Sequence, residues 1–137
     1  MSGTQTSPQT VTTITPGRPI CTMINTLTVK PGKQQELMAY LQEMTQKDVV
    51  SCPGFISANF HMSLDGTHII NYAQWRSLDD LKAMLARFPE HVKRCQELTE
   101  CIDIRTDLQV VYCFQSPQTG GERTPLPPLR GSIHTKP

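Results

Sequence analysis

Polar and apolar residues alternate from Ile20 to Val29, with Ile20, Thr22, Ile24, Thr26 and Thr28 on one face and Cys21, Met23, Asn25, Leu27 and Val29 on the other. This period of two, rich in β-branched residues, predicts a strand. Pro31-Gly32 ends it, and proline suits the first turn of a following helix. From Lys33, Leu37, Tyr40, Leu41, Met44 and Val49 recur at helical spacing, predicting an amphipathic helix to about Val50, where Cys52-Pro53-Gly54 breaks it. Phe55–Met62 and His68–Trp75 predict two further strands joined by the turn Leu64-Asp65-Gly66, an Asp-Gly hairpin signal. Ser77 precedes Asp80 by three residues, an acidic relative of the capping box, ahead of Leu78, Leu81, Met84, Leu85 and Phe88. Pro89 starts another helical piece, Glu90 to Cys101, and Ile102–Phe114 predicts the last strand.

The order β-α-β-β-α-β is the ferredoxin-like α+β plan, with an antiparallel four-stranded sheet and its helices on one face. Its other face would carry residues such as Ile70, Tyr72 and Val111. Large exposed apolar patches mark interfaces, so a homodimer with sheets packed face to face is expected. The pattern divides the chain into a disordered tail at 1–18, one domain at 19–115 and a Pro-rich tail at 116–137. Leu126-Pro127-Pro128-Leu129 in that last tail reads either as a peptide ligand for an SH3-like module or as a segment draped over its own dimer.

The third strand holds the only tryptophan of the chain. Side chains alternate on a strand, so Ile69, Asn71, Ala73 and Trp75 share one face, and His68, Ile70, Tyr72 and Gln74 the other. An amide and an indole N–H therefore point the same way, about 13 Å apart. The pair reads either as a pocket wall or as a core tryptophan beside an asparagine that serves the backbone.

The remaining composition narrows the chemistry. A net charge of +1 without a basic stripe gives no case for nucleic acid, and no apolar run approaches a membrane span. Met1–Gly17 has neither a basic start nor an apolar core, so it does not read as a secretory signal. Five cysteines without C-x-x-C spacing predict reduced thiols in a cytoplasmic protein, packed as small hydrophobes. The histidines His61, His68, His91 and His134 form no metal-ligand pattern, so no metal is expected. There is also no Gly-rich phosphate loop, so no cofactor is expected.

Pro53-Gly54-Phe55, Asp65-Gly66-Thr67 and Asn71-Tyr72-Ala73-Gln74-Trp75, placed on this element order, resemble the antibiotic biosynthesis monooxygenase (ABM) family over about Met23 to Phe114. The likeness is closest to its small cofactor-independent members in aromatic polyketide pathways. It implies a dimeric α+β barrel with one pocket per subunit, in which Asn71 and Trp75 hold the substrate carbonyl and its oxygen adduct. An anthrone-like or polyphenolic substrate and O2 would be the partners, in secondary metabolism. Phe60, Leu81, Met84 and Arg94 are the expected substrate contacts.

Two departures stand out. Leu81 occupies the place of a tyrosine proposed as proton shuttle in the best-matched members, and Cys95, beside Arg94, that of an arginine. His61 is the expected proton-handling substitute, with His91, Tyr40 and Tyr72 behind it. His91 would be the iron ligand if the chain were a haem-degrading relative. The further alternatives are a non-oxygenase member that binds or isomerises a small ligand, and a silent dimerisation module. Met23, Met38, Met44, Met62 and Met84 suit either an adaptable pocket or plain core filling.

Overall fold

The computed structural model describes residues 10–117. Within them the alternation at the start of the domain becomes β1 (Cys21–Val29), whose Met23, Leu27 and Val29 are buried while Ile24, Thr26 and Thr28 are only half-buried. It is a central strand, paired antiparallel with β3 (His68–Trp75) on one side and β4 (Thr99–Leu108) on the other. β2 (Phe55–Met62) completes the sheet against β3, giving the order β2-β3-β1-β4 of a ferredoxin-like fold. α1 (Gln34–Lys47), α2 (Leu78–Arg87) and α3 (Pro89–Leu98) cover one sheet face.

Two apolar clusters join sheet to helices. One gathers Met23, Ala73, Trp75, Leu81 and Met84, and the other Leu27, Leu37, Leu41, Ile69 and Leu98. A polar residue ties the second cluster to the hairpin: buried Gln34 donates from Nε2 to the carbonyls of Ser63 (3.0 Å) and His68 (2.9 Å). The hairpin turn holds itself as well. Asp65 accepts from Ser63, Thr67 Oγ1 and the Thr67 N–H, and these bonds, Thr67's first, hold its carboxyl down at about 2.

The helix ends follow local chemistry. The Ser77 side chain accepts from the Asp80 N–H at 3.1 Å, the N-cap bond expected of that spacing. Gly54 sits opposite, at φ 82°. A Cβ there would lie 2.3 Å from Asp80 Oδ2, so both the backbone conformation and the close approach demand glycine.

Several boundaries differ from those the sequence predicts. α1 stops at Lys47, and Val49–Ser51 forms a separate tight turn. α3 ends at Leu98 rather than Cys101, because β-branched Thr99 turns to extended backbone opposite Val29 while its hydroxyl caps the Cys95 carbonyl at 2.8 Å. β4 accordingly starts three residues early. It also ends at Leu108 rather than Phe114, where the β1 ladder runs out of partners at Thr22.

Part of the stretch expected to be disordered lies along the outer sheet face. Thr12 Oγ1 donates to Asn59 Oδ1 (2.8 Å), and Gln74 Nε2 donates to the Thr13 carbonyl (3.0 Å). Residues 1–9 and 118–137, with the Leu-Pro-Pro-Leu segment, lie outside the described residues.

Candidate active site

The inner sheet face and the helices enclose a cavity of about 370 Å³, within the range of small-molecule sites. Met23, Asn25 and Leu27 from β1, Phe55, Ala58 and Phe60 from β2, and Asn71, Ala73 and Trp75 from β3 form its floor. Its roof comes from Leu41, Met44 and Thr45 of α1, Met84 and Leu85 of α2, Phe88 at the α2–α3 junction, and His91, Val92, Cys95 and Gln96 of α3. The lining is mostly hydrocarbon, thioether and aromatic, so each polar group on it counts.

Asn71 is aimed by its neighbour. The backbone N–H of Asn59 donates to Asn71 Oδ1 at 3.0 Å, which settles the orientation of the amide because a backbone donor needs the oxygen. Among the described residues no acceptor takes the Asn71 NH₂ group, which is left to the cavity. Asn25, paired directly with Asn71 across β1 and β3, also borders the cavity, but its Oδ1 is buried without a donor. Trp75 is 1% exposed and packs edge-on against Phe55, ring centres 5.3 Å apart. Its N–H has no acceptor among the described residues.

His91 enters the wall from α3, half-stacked on Phe88 with centroids 5.1 Å apart. Both of its ring nitrogens are engaged: Nε2 lies 2.7 Å from Asp48 Oδ2, and Nδ1 shares a short hydrogen bond with the Tyr40 hydroxyl. As it stands, His91 has no bare nitrogen for an iron. Burial, followed by the neighbouring Cys95 and Glu90, raises the Tyr40 phenol above its usual range. Burial also pushes the Cys95 thiol up to about 11.

The structure brings together only some of the residues expected at the site. Asn71, Trp75, Phe60 and Met84 line the cavity. His61 stands on the opposite sheet face, exposed, with Nδ1 3.3 Å from the Ile70 carbonyl, because strand alternation sends it away from Phe60. Leu81 packs with Trp75 in the core, 2% exposed, and does not border the cavity. Arg94 points outward to Glu36 (2.7 Å) and Glu97 (3.3 Å); its neighbour Cys95 takes the inward position. Tyr72 lies on the outer face with a buried, unpartnered hydroxyl. Of the methionines, Met23, Met44 and Met84 reach the cavity, Met38 packs against the core and Met62 is exposed.

The comparison with known proteins turns this geometry into a family assignment. The model of the antibiotic biosynthesis monooxygenase family, ABM, matches residues 20–98. The chain belongs to that family. It is 41% identical over 108 residues to tetracenomycin-F1 monooxygenase of Streptomyces glaucescens, a match covering 77% of this chain and 96% of that one. SnoaB of Streptomyces nogalater, a cofactor-independent oxygenase, superposes with a TM-score of 0.58 at 20% identity, over 74% of this chain and 97% of its own. An anthrone oxidase-like protein superposes with a TM-score of 0.58 at 25% identity, over 64% of this chain but only 38% of that chain. Within this ABM member no helix of the described residues is long and apolar enough to cross a membrane.

Proposed function

We propose that this ABM protein oxidises a flat, hydroxylated aromatic ring of the anthrone or polyphenol type with molecular oxygen, without a cofactor, as a step of secondary metabolism. The observation that carries this reading is the Asn71 amide, locked by the Asn59 N–H so that its two donors face an apolar cavity beside the Trp75 indole. Such donors in a dry wall stabilise negative charge as it develops on a carbonyl oxygen. An anthrone that loses a proton becomes an electron-rich enolate able to reduce oxygen itself. The radical pair then closes a C–O bond to give a peroxide. Loss of the second hydrogen on that carbon, with O–O cleavage, leaves a carbonyl and water. The relationship to tetracenomycin-F1 monooxygenase supports the same reaction class.

The test is oxygen uptake by metal-free, flavin-free protein given a dihydroxyanthrone, with isotopically labelled O2 followed into the quinone. Stoichiometric uptake and one labelled oxygen per quinone are expected. Product formed equally well under strict anaerobiosis would instead establish the non-oxygenase reading.

We place the protein in the cytoplasm as a homodimer, with the sheets' outer faces together. Support comes from Ile70, Val111, Tyr112 and Phe114, exposed at 38%, 78%, 75% and 78% on that face or on the segment following β4. Light scattering is expected to give twice the chain mass of 15.4 kDa, and a monomer that keeps full activity would refute the arrangement.

A further inference from the structure

We propose that His91, held between Asp48 and Tyr40, is the group in this cavity that takes the proton the substrate must lose and later returns it to the peroxide. The inference deepens the oxygenase reading and rests on it for the identity of the substrate. It is carried by the make-up of the wall. Among the lining residues only His91 and Cys95 titrate; asparagine, threonine, glutamine and tryptophan side chains cannot accept a proton under ordinary conditions. Cys95 is excluded by its burial, which keeps the thiol protonated up to about 11. Histidine is the side chain whose ordinary titration range suits proton exchange near neutrality.

The surroundings of the ring fit the role. A carboxylate can only accept, so the 2.7 Å contact with Asp48 puts the ring proton on Nε2. Nδ1 then carries the ring's lone pair, which the Tyr40 phenol, kept neutral by burial, covers by donating to it. The Tyr40 hydroxyl is the exchangeable partner: it turns from donor to acceptor, or gives way to the substrate, when Nδ1 receives a proton. Asp48 fixes the tautomer of the neutral ring and offsets the charge once the ring is an imidazolium, so it is a positioning residue. α1 supplies Tyr40 from its middle and Asp48 from its C-cap, and α3 supplies His91 from its first turn. The rigid packing of these helices therefore sets the geometry.

In the reaction the C–H proton passes to Nδ1 and its bonding pair remains on the ring as the enolate. After oxygen has added, His91 gives that proton to the peroxide anion. It then takes the second C–H proton as the O–O bond breaks, and delivers it to the departing hydroxide as water. Hydrogen, charge and electrons balance with O2 as the only oxidant.

The experiment separates proton transfer from oxygen chemistry. Protein is mixed with a dihydroxyanthrone under strict anaerobiosis, and the enolate absorption band is followed, with binding read from quenching of the single tryptophan, Trp75. Wild type is expected to form the band. His91→Gln, which keeps polar contacts but cannot take a proton, is expected to bind with similar affinity and form the band at least about a hundredfold more slowly. Asp48→Asn should fall between them, which keeps the test open if His91→Gln folds poorly. The deficit of His91→Gln should shrink as pH rises, because hydroxide then removes the proton. The other charged or titratable groups around the Tyr40–His91 pair are Asp48, Glu90, Arg94 and Cys95, and none is altered in that variant. Equal enolate rates in wild type and His91→Gln, a deficit that does not change with pH, or no enolate in wild type would overturn the proposal. Admitting oxygen then tests the oxygenase reading alone: an enolate that forms and does not consume O2 sinks that reading and leaves this one standing.

Discussion

Asn71→Asp is expected to lower kcat/KM for a dihydroxyanthrone by roughly 10²–10³-fold, the cost of losing a donor to a developing oxyanion. The substitution keeps the shape of the side chain and an oxygen for the Asn59 N–H, now 3.0 Å from Asn71 Oδ1, so the register of β2 on β3 is preserved. What changes is the group facing the cavity: two N–H donors become an oxygen that repels the negative charge of enolate and peroxide. At 8% exposure the new carboxyl sits in a poorly hydrated wall, which favours its neutral form. Lowering the pH should therefore restore part of the rate, since the protonated acid can again donate one hydrogen bond. Oxygen-electrode kinetics across pH, with circular dichroism to confirm folding, would check both points. Wild-type turnover in this variant would remove Asn71 from the reaction.

The second large effect concerns Trp75. It belongs at once to the cavity floor and to the cluster with Cys21, Met23, Val49, Cys52, Leu81 and Met84. Trp75→Ala is expected to cost about 3–5 kcal/mol of unfolding free energy, because it removes a fully buried ring and leaves Phe55 without its edge contact. Against a typical total of about 5–15 kcal/mol, that brings the domain close to unfolding. Trp75→Phe keeps most of the apolar contact while deleting the N–H, so it should lose a fraction of that stability and a larger share of the activity. Denaturant titrations at matched protein concentration, run beside oxygen uptake, separate the two contributions. A tolerated Trp75→Ala would mean that the cavity wall bears none of the core's packing.

Much of this architecture is readable in the chain. The period-two runs at Cys21–Val29 and His68–Trp75 predict their strands because each buries one face more fully than the other, and β3 matches its predicted bounds. The same alternation puts Asn71 and Trp75 on a common inner face. Boundaries shift where long-range pairing overrides local signals: Thr99 leaves the helical pattern to meet Val29, and β4 ends when β1 has no more residues to offer.

The polar side chains around the cavity are harder to read, since their significance depends on pairs far apart in sequence. Tyr40 on α1 and Asp48 at its C-cap lie eight residues apart and meet a histidine from another helix, so no local spacing marks them as a set. His61 illustrates the reverse error: it adjoins Phe60 in sequence, but one step along a strand is a change of side. The inward Asn25 could have been found, for it falls on the same β1 face as Met23 and Leu27, where an amide is out of keeping with its neighbours.

The burial of Cys95 has a bearing on the lifetime of the protein. A cavity that handles peroxide and superoxide would ordinarily endanger a thiol in its wall, because the thiolate is the form that oxidants attack. With its ionisation held back to about 11, only on the order of one Cys95 in ten thousand is a thiolate near neutral pH. The same desolvation that makes the wall dry enough for the chemistry thus shields the wall from its own oxidant.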